Sequence, residues 1–478
     1  MPLKPLLILS YYFPPHGGAG TQRFAKFARY LPEFGYRPIV VTSDAENRHD
    51  SAPYADTTLC EEIGAEVKVV RVPAGHGPGL SAAGRVRMAL RFRTDQEAWV
   101  AAACEVMEGL VREHQPVAVV TSVSPYAAAA AGRWLQRRQG LPWLLDLRDP
   151  WALDGWRVHP TPLHRRYDVT KMRDALRHCD LVIANTPASR EAYCRFADIE
   201  PTKVRVIPNG FDPPDFVEHP GPIRRDRFDL IHVGTLHSVD PPPGGTGRFS
   251  RRSRCRWIDE RGRSGRFLFD ALARIRAARP ELYRRFRLVL IGRNHRSNLD
   301  YAEAVSVRNA LEDTGYLSHR EALGRMQSGS AVVVPLHDVS PGDNALIVPG
   351  KTYEAVASER MVLGCLPPGD AARLIGVSGA GEVCPPCDAE AIARTLTAAV
   401  ERHLDAAPLP GARRDRLDMF TRRSLTADLC NAVEAAQRGS LRPTGDGGVP
   451  EDPWQRLESH VHARGHEHST SPVLPGAV

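Results

Sequence analysis

The chain has 478 residues, 42% apolar and 25% charged, with a formal net charge of +7. That length exceeds one ordinary core and points to two domains of about 200 residues each, and the apolar share excludes a wholly disordered chain. Nine scattered cysteines, and no run near the ~18 apolar residues that cross a bilayer, exclude a disulfide scaffold and a spanning protein. A soluble, cytoplasmic protein is the expectation.

In the first half, residues 6–10, 38–43, 67–72, 117–122, 143–146, 181–185 and 204–208 are short runs rich in Val, Ile and Leu. They lack polar alternation, as strands covered on both faces do. Amphipathic stretches lie between them, such as 22–34, where Phe24, Phe27, Ala28 and Leu31 recur at helical spacing. Strand and helix in alternation predict a doubly wound parallel sheet. The breaker cluster Pro208-Asn209-Gly210-Phe211-Asp212-Pro213-Pro214 closes a first domain at residues 1–212.

The pattern then restarts. Strands are expected at 230–233, 287–291, 331–335 and 361–365, with helices at 267–278, 320–326 and 389–403 and a last amphipathic helix at 422–437. Residues 213–437 therefore form a second domain of the same kind, and the Pro-, Gly- and His-rich residues 438–478 are expected to be disordered. Segment 238–266 fits neither pattern. It carries eight arginines against Asp240, Asp259 and Glu260, a net of +5 out of the chain's +7. It reads as a long flexible loop rather than a nucleic-acid patch, because only Phe249 and Trp257 are there to stack on bases.

Three places carry chemistry. Pro14-Pro15-His16-Gly17-Gly18-Ala19-Gly20 follows the first strand and precedes a helix, where glycines let an anion approach the backbone and the helix start offers unpaired N–H groups. The third glycine of a dinucleotide fingerprint would fall at Arg23, although Asp44 could mimic its ribose-binding acid. Trp143-Leu144-Leu145-Asp146-Leu147-Arg148-Asp149 is a buried strand that ends in an ion pair at the sheet's carboxyl edge. Gly350-Lys351-Thr352 imitates the end of a phosphate loop, but Ala345 replaces its first glycine and Pro349 removes an amide. Lys351 is the only lysine of the second half, and a lysine at a helix start is unfavourable for the dipole unless an anion offsets it. Glu354, three residues on, could hold the two hydroxyls of a ribose. Cys384-Pro385-Pro386-Cys387 lacks the second pair a metal site needs, and no Asp-x-Asp occurs, so a metal-independent grip on a diphosphate is expected.

Tyr11-Tyr12-Phe13-Pro14-Pro15-His16-Gly17-Gly18, Ile207-Pro208-Asn209-Gly210-Phe211-Asp212, His232-Val233-Gly234-Thr235 and Pro349-Gly350-Lys351-Thr352-Tyr353-Glu354 resemble, in order and spacing over residues 5–437, the retaining glycosyltransferases of family four, in their WcaI-like exopolysaccharide or natural-product subgroup. The resemblance implies the GT-B architecture, two facing Rossmann-like domains with the last helix crossing back to the first. It implies a sugar moved from a nucleotide-diphosphate sugar, as co-substrate and with no other cofactor, to a hydroxyl acceptor: a small molecule, a lipid-linked sugar or a glycan. Peripheral contact with the inner face of a membrane is compatible with it, and the basic amphipathic residues 85–93 are a candidate for that contact. Residue by residue, it implies donor binding by Gly17, Gly18, Lys351 and Glu354; Gly234, Arg293 and Tyr353 are further donor-binding candidates, and the charges that develop in the reaction make Asp149, with Arg148, the catalytic candidates. Glu354 matches the second glutamate of the family's Glu-x7-Glu motif, and the first would fall at Leu346. The family's Arg…Lys pair after the first strand of the second domain is not legible, since Thr235 stands near the arginine's place. A GT-B nucleotide-sugar epimerase and a donor-binding relative without turnover are the alternatives.

Overall fold

The computed structural model describes residues 2–17, 19–44, 58–73, 95–240, 254–439 and 450–467. Seven strands lie in the first half: β1 Lys4–Leu9, β2 Tyr36–Ser43, β3 Lys68–Val72, β4 Val119–Val123, β5 Trp143–Leu147, β6 Leu181–Ala184 and β7 Val204–Val206. They form one parallel sheet in the order β3-β2-β1-β4-β5-β6-β7. Leu6, Leu7, Ile8 and Leu9 are all fully buried, which is why that run carries no polar alternation. The strand order reverses between β1 and β4, and a crevice opens at their carboxyl ends.

The second half holds β8 Phe228–Val233, β9 Ile258–Asp259, β10 Phe286–Ile291, β11 Leu311–Gly315, β12 Ala331–Pro335, β13 Asp338–Val339, β14 Met361–Cys365 and β15 Gly381–Cys384. Six of these make a second parallel sheet, β11-β10-β8-β12-β14-β15, and β9 pairs with β13 apart from it. The order reverses at β8, so this sheet too has its crevice at the carboxyl end of its first strand.

The helix Arg422–Gln437 belongs in sequence to the second domain and in space to the first. Thr421 caps it by accepting from the Ser424 N–H. Leu425, Leu429 and Val433, at helical spacing, enter the same core cluster as Leu6, Ile8, Phe24 and Phe27. One buried ion pair ties the first sheet to the link between the domains. Arg23 donates from Nη2 to Asp146 Oδ1 at 2.6 Å, and its remaining N–H groups reach the carbonyls of Ile207 (2.8 Å) and Pro208 (2.7 Å). Arg23 holds the chain where a fingerprint glycine would have left space.

Two expectations are corrected. The residues after 438 are not structureless throughout: Pro453–Glu467 is a helix, with Trp454 and Leu457 buried against Phe420 and its neighbours. Its start was in the sequence, as Asp452 accepts from the Trp454 and Gln455 N–H groups and Pro453 occupies the first turn. Nor is the arginine-rich segment loop throughout. Its residues 254–266 include β9 and a 3-10 turn, Glu260–Arg263, capped by Asp259. Gly18, residues 85–93 and the first part of that segment (241–253) lie outside the described residues.

Candidate active site in the cleft between the domains

The carboxyl ends of β8 and β10 finish in Gly234 and Gly292, with φ of +116° and +121°. Both positions favour glycine for conformation and for space. A Cβ on Gly292 would stand 2.7 Å from the Gly234 carbonyl oxygen, and one on Gly234 would stand 3.3 Å from Lys351 Nζ. Lys351 reaches this point from the first turn of the helix Gly350–Ala357. It is recessed among protein atoms yet keeps some solvent access, and burial together with the charge of Arg263 lowers its pKa to about 7.

Arg263 is the cation that sequence reasoning missed. It sits at the end of the 3-10 turn Glu260–Arg263 of the arginine-rich segment, its guanidinium 5.7 Å from the centre of the Trp156 ring. Burial lowers its pKa, while Asp154 and Asp149 of the facing domain act the other way. Neither Lys351 nor Arg263 forms an ion pair with a carboxylate among the described residues. Beside them, His237 and His337 are held neutral, pushed down to about 4 and about 3 by burial and by Arg263. Two cations with neutral imidazoles around them form a socket short of an anion.

The facing wall comes from the loop after β5. Arg148 donates to the Gly20 carbonyl at 2.8 Å and to Asp149 at 3.3 Å, and lies over the Tyr12 ring. A Cβ on Gly20 would lie 2.3 Å from Arg148 Nη1, so the glycine-rich turn and Arg148 pack directly on one another. Arg148 thereby fixes the turn, and Asp149, 42% exposed at its side chain, faces the cleft. Asp154, pushed up to about 6 by burial with Asp149 adding to it, is a second carboxylate on this wall. Trp156 crosses the cleft: its indole N–H donates to His337 Nδ1 at 3.1 Å, and its ring packs on His237. Arg254 donates to the Gly155 carbonyl at 3.0 Å, so the arginine-rich segment clasps the loop that carries Asp154.

Glu354 lies on the same helical face as Lys351, three residues away, but one of its carboxylate oxygens is already paired. Its Oε1 pairs with His319 Nε2 at 2.9 Å, and Arg422 stands 3.9 Å off. His319 also faces Asp215 at 3.8 Å, and Asp215 holds Lys26 Nζ at 2.7 Å. Arg422 completes a circuit by donating to Gln22 at 2.9 Å, beside Lys26 on the helix Ala19–Tyr30. Glu62, Asp212 and Asp215 converge closely enough for a metal ion, but the Lys26 ammonium touches all three at 2.6–2.8 Å and offsets part of their charge, with Arg29 adding to it 2.8 Å from Glu62.

Burial alone would lower the His319 pKa; Glu354 and Asp215 outweigh it, and the net shift is upward. The stabilisation this brings is full below the unfolded value near 6.5 and is lost as pH rises through the higher folded value. His319→Gln is expected to lower stability by ~1–2 kcal/mol at pH 6 and by less at pH 9. Urea unfolding of both proteins at the two pH values checks this, and an equal loss at both would refute it.

Other predicted donor residues fall differently. Gly17 is buried in the turn after β1. Tyr353 points away from the cleft into the second core, 1% exposed, against Phe420 and Trp454. Arg293 is exposed just past β10, and the charge that reaches Lys351 is that of Arg263. Leu346 is buried, and its carbonyl accepts from Thr186 (3.2 Å) and Ser189 (2.6 Å) of the first domain, so the first glutamate's place is part of the domain contact.

Residues 17–210 match the family model described as a glycosyl transferase 4-like domain. No curated protein sequence matches the chain. Among solved structures, sucrose-phosphate synthase from Thermosynechococcus elongatus is similar at 14% identity and a TM-score of 0.59, over 91% of this chain and 100% of that one. WaaG, a glycosyltransferase involved in lipopolysaccharide biosynthesis, is similar at 16% identity and 0.54, over 90% and 99%. Anabaena HepE, solved in complex with UDP-glucose, is similar at 14% identity and 0.52, over 90% and 100%. The chain thus has the GT-B fold, and its first half matches the glycosyl transferase 4-like domain.

Proposed function

We propose that the chain transfers a sugar from a nucleotide-diphosphate sugar to a hydroxyl acceptor, with retention at the anomeric carbon. The observation that carries this reading is the socket of Lys351 and Arg263 at the glycine-ended strands β8 and β10, two recessed basic groups that form no ion pair with a carboxylate among the described residues. A diphosphate supplies that charge, and UDP-glucose is the ligand named for one similar structure. When the sugar–phosphate bond breaks, negative charge grows on the diphosphate, and preorganised cations aimed there lower the barrier by roughly 3–4 kcal/mol per donor. The incoming hydroxyl attacks from the face the diphosphate leaves, and its proton goes to the departing phosphate oxygen. Asp149 and Asp154, on the opposite wall, orient that hydroxyl. In this reading side-chain cations, not a metal ion, supply the diphosphate's counter-charge. A polysaccharide intermediate, a lipid-linked sugar or a small natural product fits the acceptor role.

The test is a thermal-shift screen of UDP-, GDP- and dTDP-sugars, repeated on Arg263→Ala. One nucleotide sugar is expected to stabilise the protein, with the response lost in the variant and kcat for transfer falling about 100-fold. No response to any nucleotide sugar, or an undiminished response in Arg263→Ala, overturns the reading.

A further inference from the structure

Six large apolar side chains are strongly exposed among the described residues, and three of them fall within ten positions: Val158 (50%), Leu163 (62%) and Tyr167 (40%). They sit at the entrance of the helix Pro162–His178, whose N-cap Thr161 accepts from the His164 N–H. Leu163 and Tyr167 are four residues apart and share its outer face. The inner face is anchored in the cleft wall. Asp168 accepts from the Trp151 indole at 2.9 Å and also binds Arg157 and His159, two residues of the stretch that leads from the cleft to the helix. The apolar tip is therefore rigid, and it stands beside the wall that bears Asp149 and Asp154.

The charge around the tip has one sign. Residues 157–178 hold six Arg and Lys side chains against Asp168 and Asp174, a net of +4. Asp168 is buried and bound to Arg157, and Asp174 faces His178 at 3.0 Å. Arg165, Arg173 and Arg177 donate to the carbonyls of Arg254, Phe196 and Ala197, which leaves their charge in place. Arg166 is exposed on the outer face, and Lys171 lies over the Tyr167 ring. Apolar side chains at a helix entrance with a basic collar match a surface whose interior is oil and whose headgroups are anionic. A protein partner would have to supply a matching acidic rim; a bilayer rich in anionic lipid has one everywhere.

We propose that Val158, Leu163 and Tyr167, collared by Arg166 and Lys171, dock the protein on an anionic lipid bilayer, with the cleft wall next to the membrane surface. The proposal stands on this patch and not on the identity of the donor. It implies an acceptor that is itself held in the membrane.

The test is sedimentation of the full chain with vesicles of phosphatidylcholine alone and of phosphatidylcholine with an equal part of phosphatidylglycerol. Binding is expected only with the anionic vesicles, and high salt is expected to weaken it. Leu163→Ser with Tyr167→Ser, and separately Arg166→Glu, are each expected to cut partitioning about tenfold or more. Both variants should keep the wild-type melting temperature, since the changed side chains are exposed. No binding to anionic vesicles, or equal binding by wild type and variants, overturns the proposal. So does a concentration-dependent dimer that the Leu163→Ser/Tyr167→Ser variant abolishes, because a second copy would then be the occupant. The nucleotide-sugar response should be untouched by these substitutions, so failure here is distinct from failure of the donor reading.

Discussion

Lys351→Met is expected to melt higher than the wild type while losing its response to nucleotide sugars and about a thousandfold in kcat/KM. The two halves of that result have one cause. Lys351 has a folded pKa of about 7, down from the ordinary lysine value of 10.5, through burial and the nearby Arg263. Between those two values the unfolded chain binds a proton that the folded chain does not, so stability rises with pH across that window. Below about pH 7 the folded protein carries the charged ammonium at full cost. Each pKa unit corresponds to 1.36 kcal/mol, but residual solvent in the cleft reduces the penalty to on the order of 2 kcal/mol. Methionine fills the stem's volume without the charge and removes that penalty. A bound diphosphate does the reverse: it raises the lysine's pKa, so donor binding takes up protons, and affinity falls as pH climbs above 7. Calorimetry of binding in buffers of different ionisation enthalpy reads the uptake directly. If Lys351→Met melts lower than the wild type, or still binds donor, the lysine is structural and the socket is misassigned.

Asp146→Ala is expected to cost about 3–5 kcal/mol, the loss that follows when one member of a buried ion pair is left alone. Arg23 is 3% exposed and Asp146 fully buried, so the guanidinium would keep its charge with only main-chain carbonyls to answer it. The effect should reach beyond the first sheet. Arg23 also grips the carbonyls of Ile207 and Pro208, and a guanidinium freed from Asp146 holds the link between the domains less firmly. The urea midpoint of the variant measures the loss. The pair Arg23→Met with Asp146→Leu should recover most of it, since the charge and its counter-charge leave together. A loss below 1 kcal/mol for Asp146→Ala would show that water or a neighbour takes the aspartate's place.

Much of this was legible in the residues, for physical reasons. Strands covered on both faces leave continuous apolar runs, and 6–10, 143–146 and 331–335 lie at β1, β5 and β12. Lys351 could be singled out because a lysine opening a helix in a lysine-poor half needs a reason. Arg263 could not: it is one of eight arginines in a segment whose composition argues for a loop, and only the fold shows which one lies beside Lys351. Its single local clue is the Arg263-Ser264-Gly265 turn just ahead of the amphipathic helix Arg266–Ala278. Tyr353, a donor-binding candidate by its motif, turns into the second core instead. Positions 351 and 354 face one way on a helix, and position 353 points to the other side. The C-terminal helix was hidden by the polar, His- and Gly-rich composition around Trp454 and Leu457, although Asp452-Pro453 marks its start.

The helix Arg422–Gln437 gives the molecule a timetable. Leu425, Leu429 and Val433 fill the first domain's core beside Leu6 and Phe24, yet they leave the ribosome more than 200 residues after the last strand of that sheet. At roughly 5–20 residues per second, the first domain waits on the order of ten to forty seconds with that face uncovered. Through that interval it is a half-closed apolar surface available to chaperones or to another nascent chain. Only after the helix Arg422–Gln437 has emerged can the first domain finish folding.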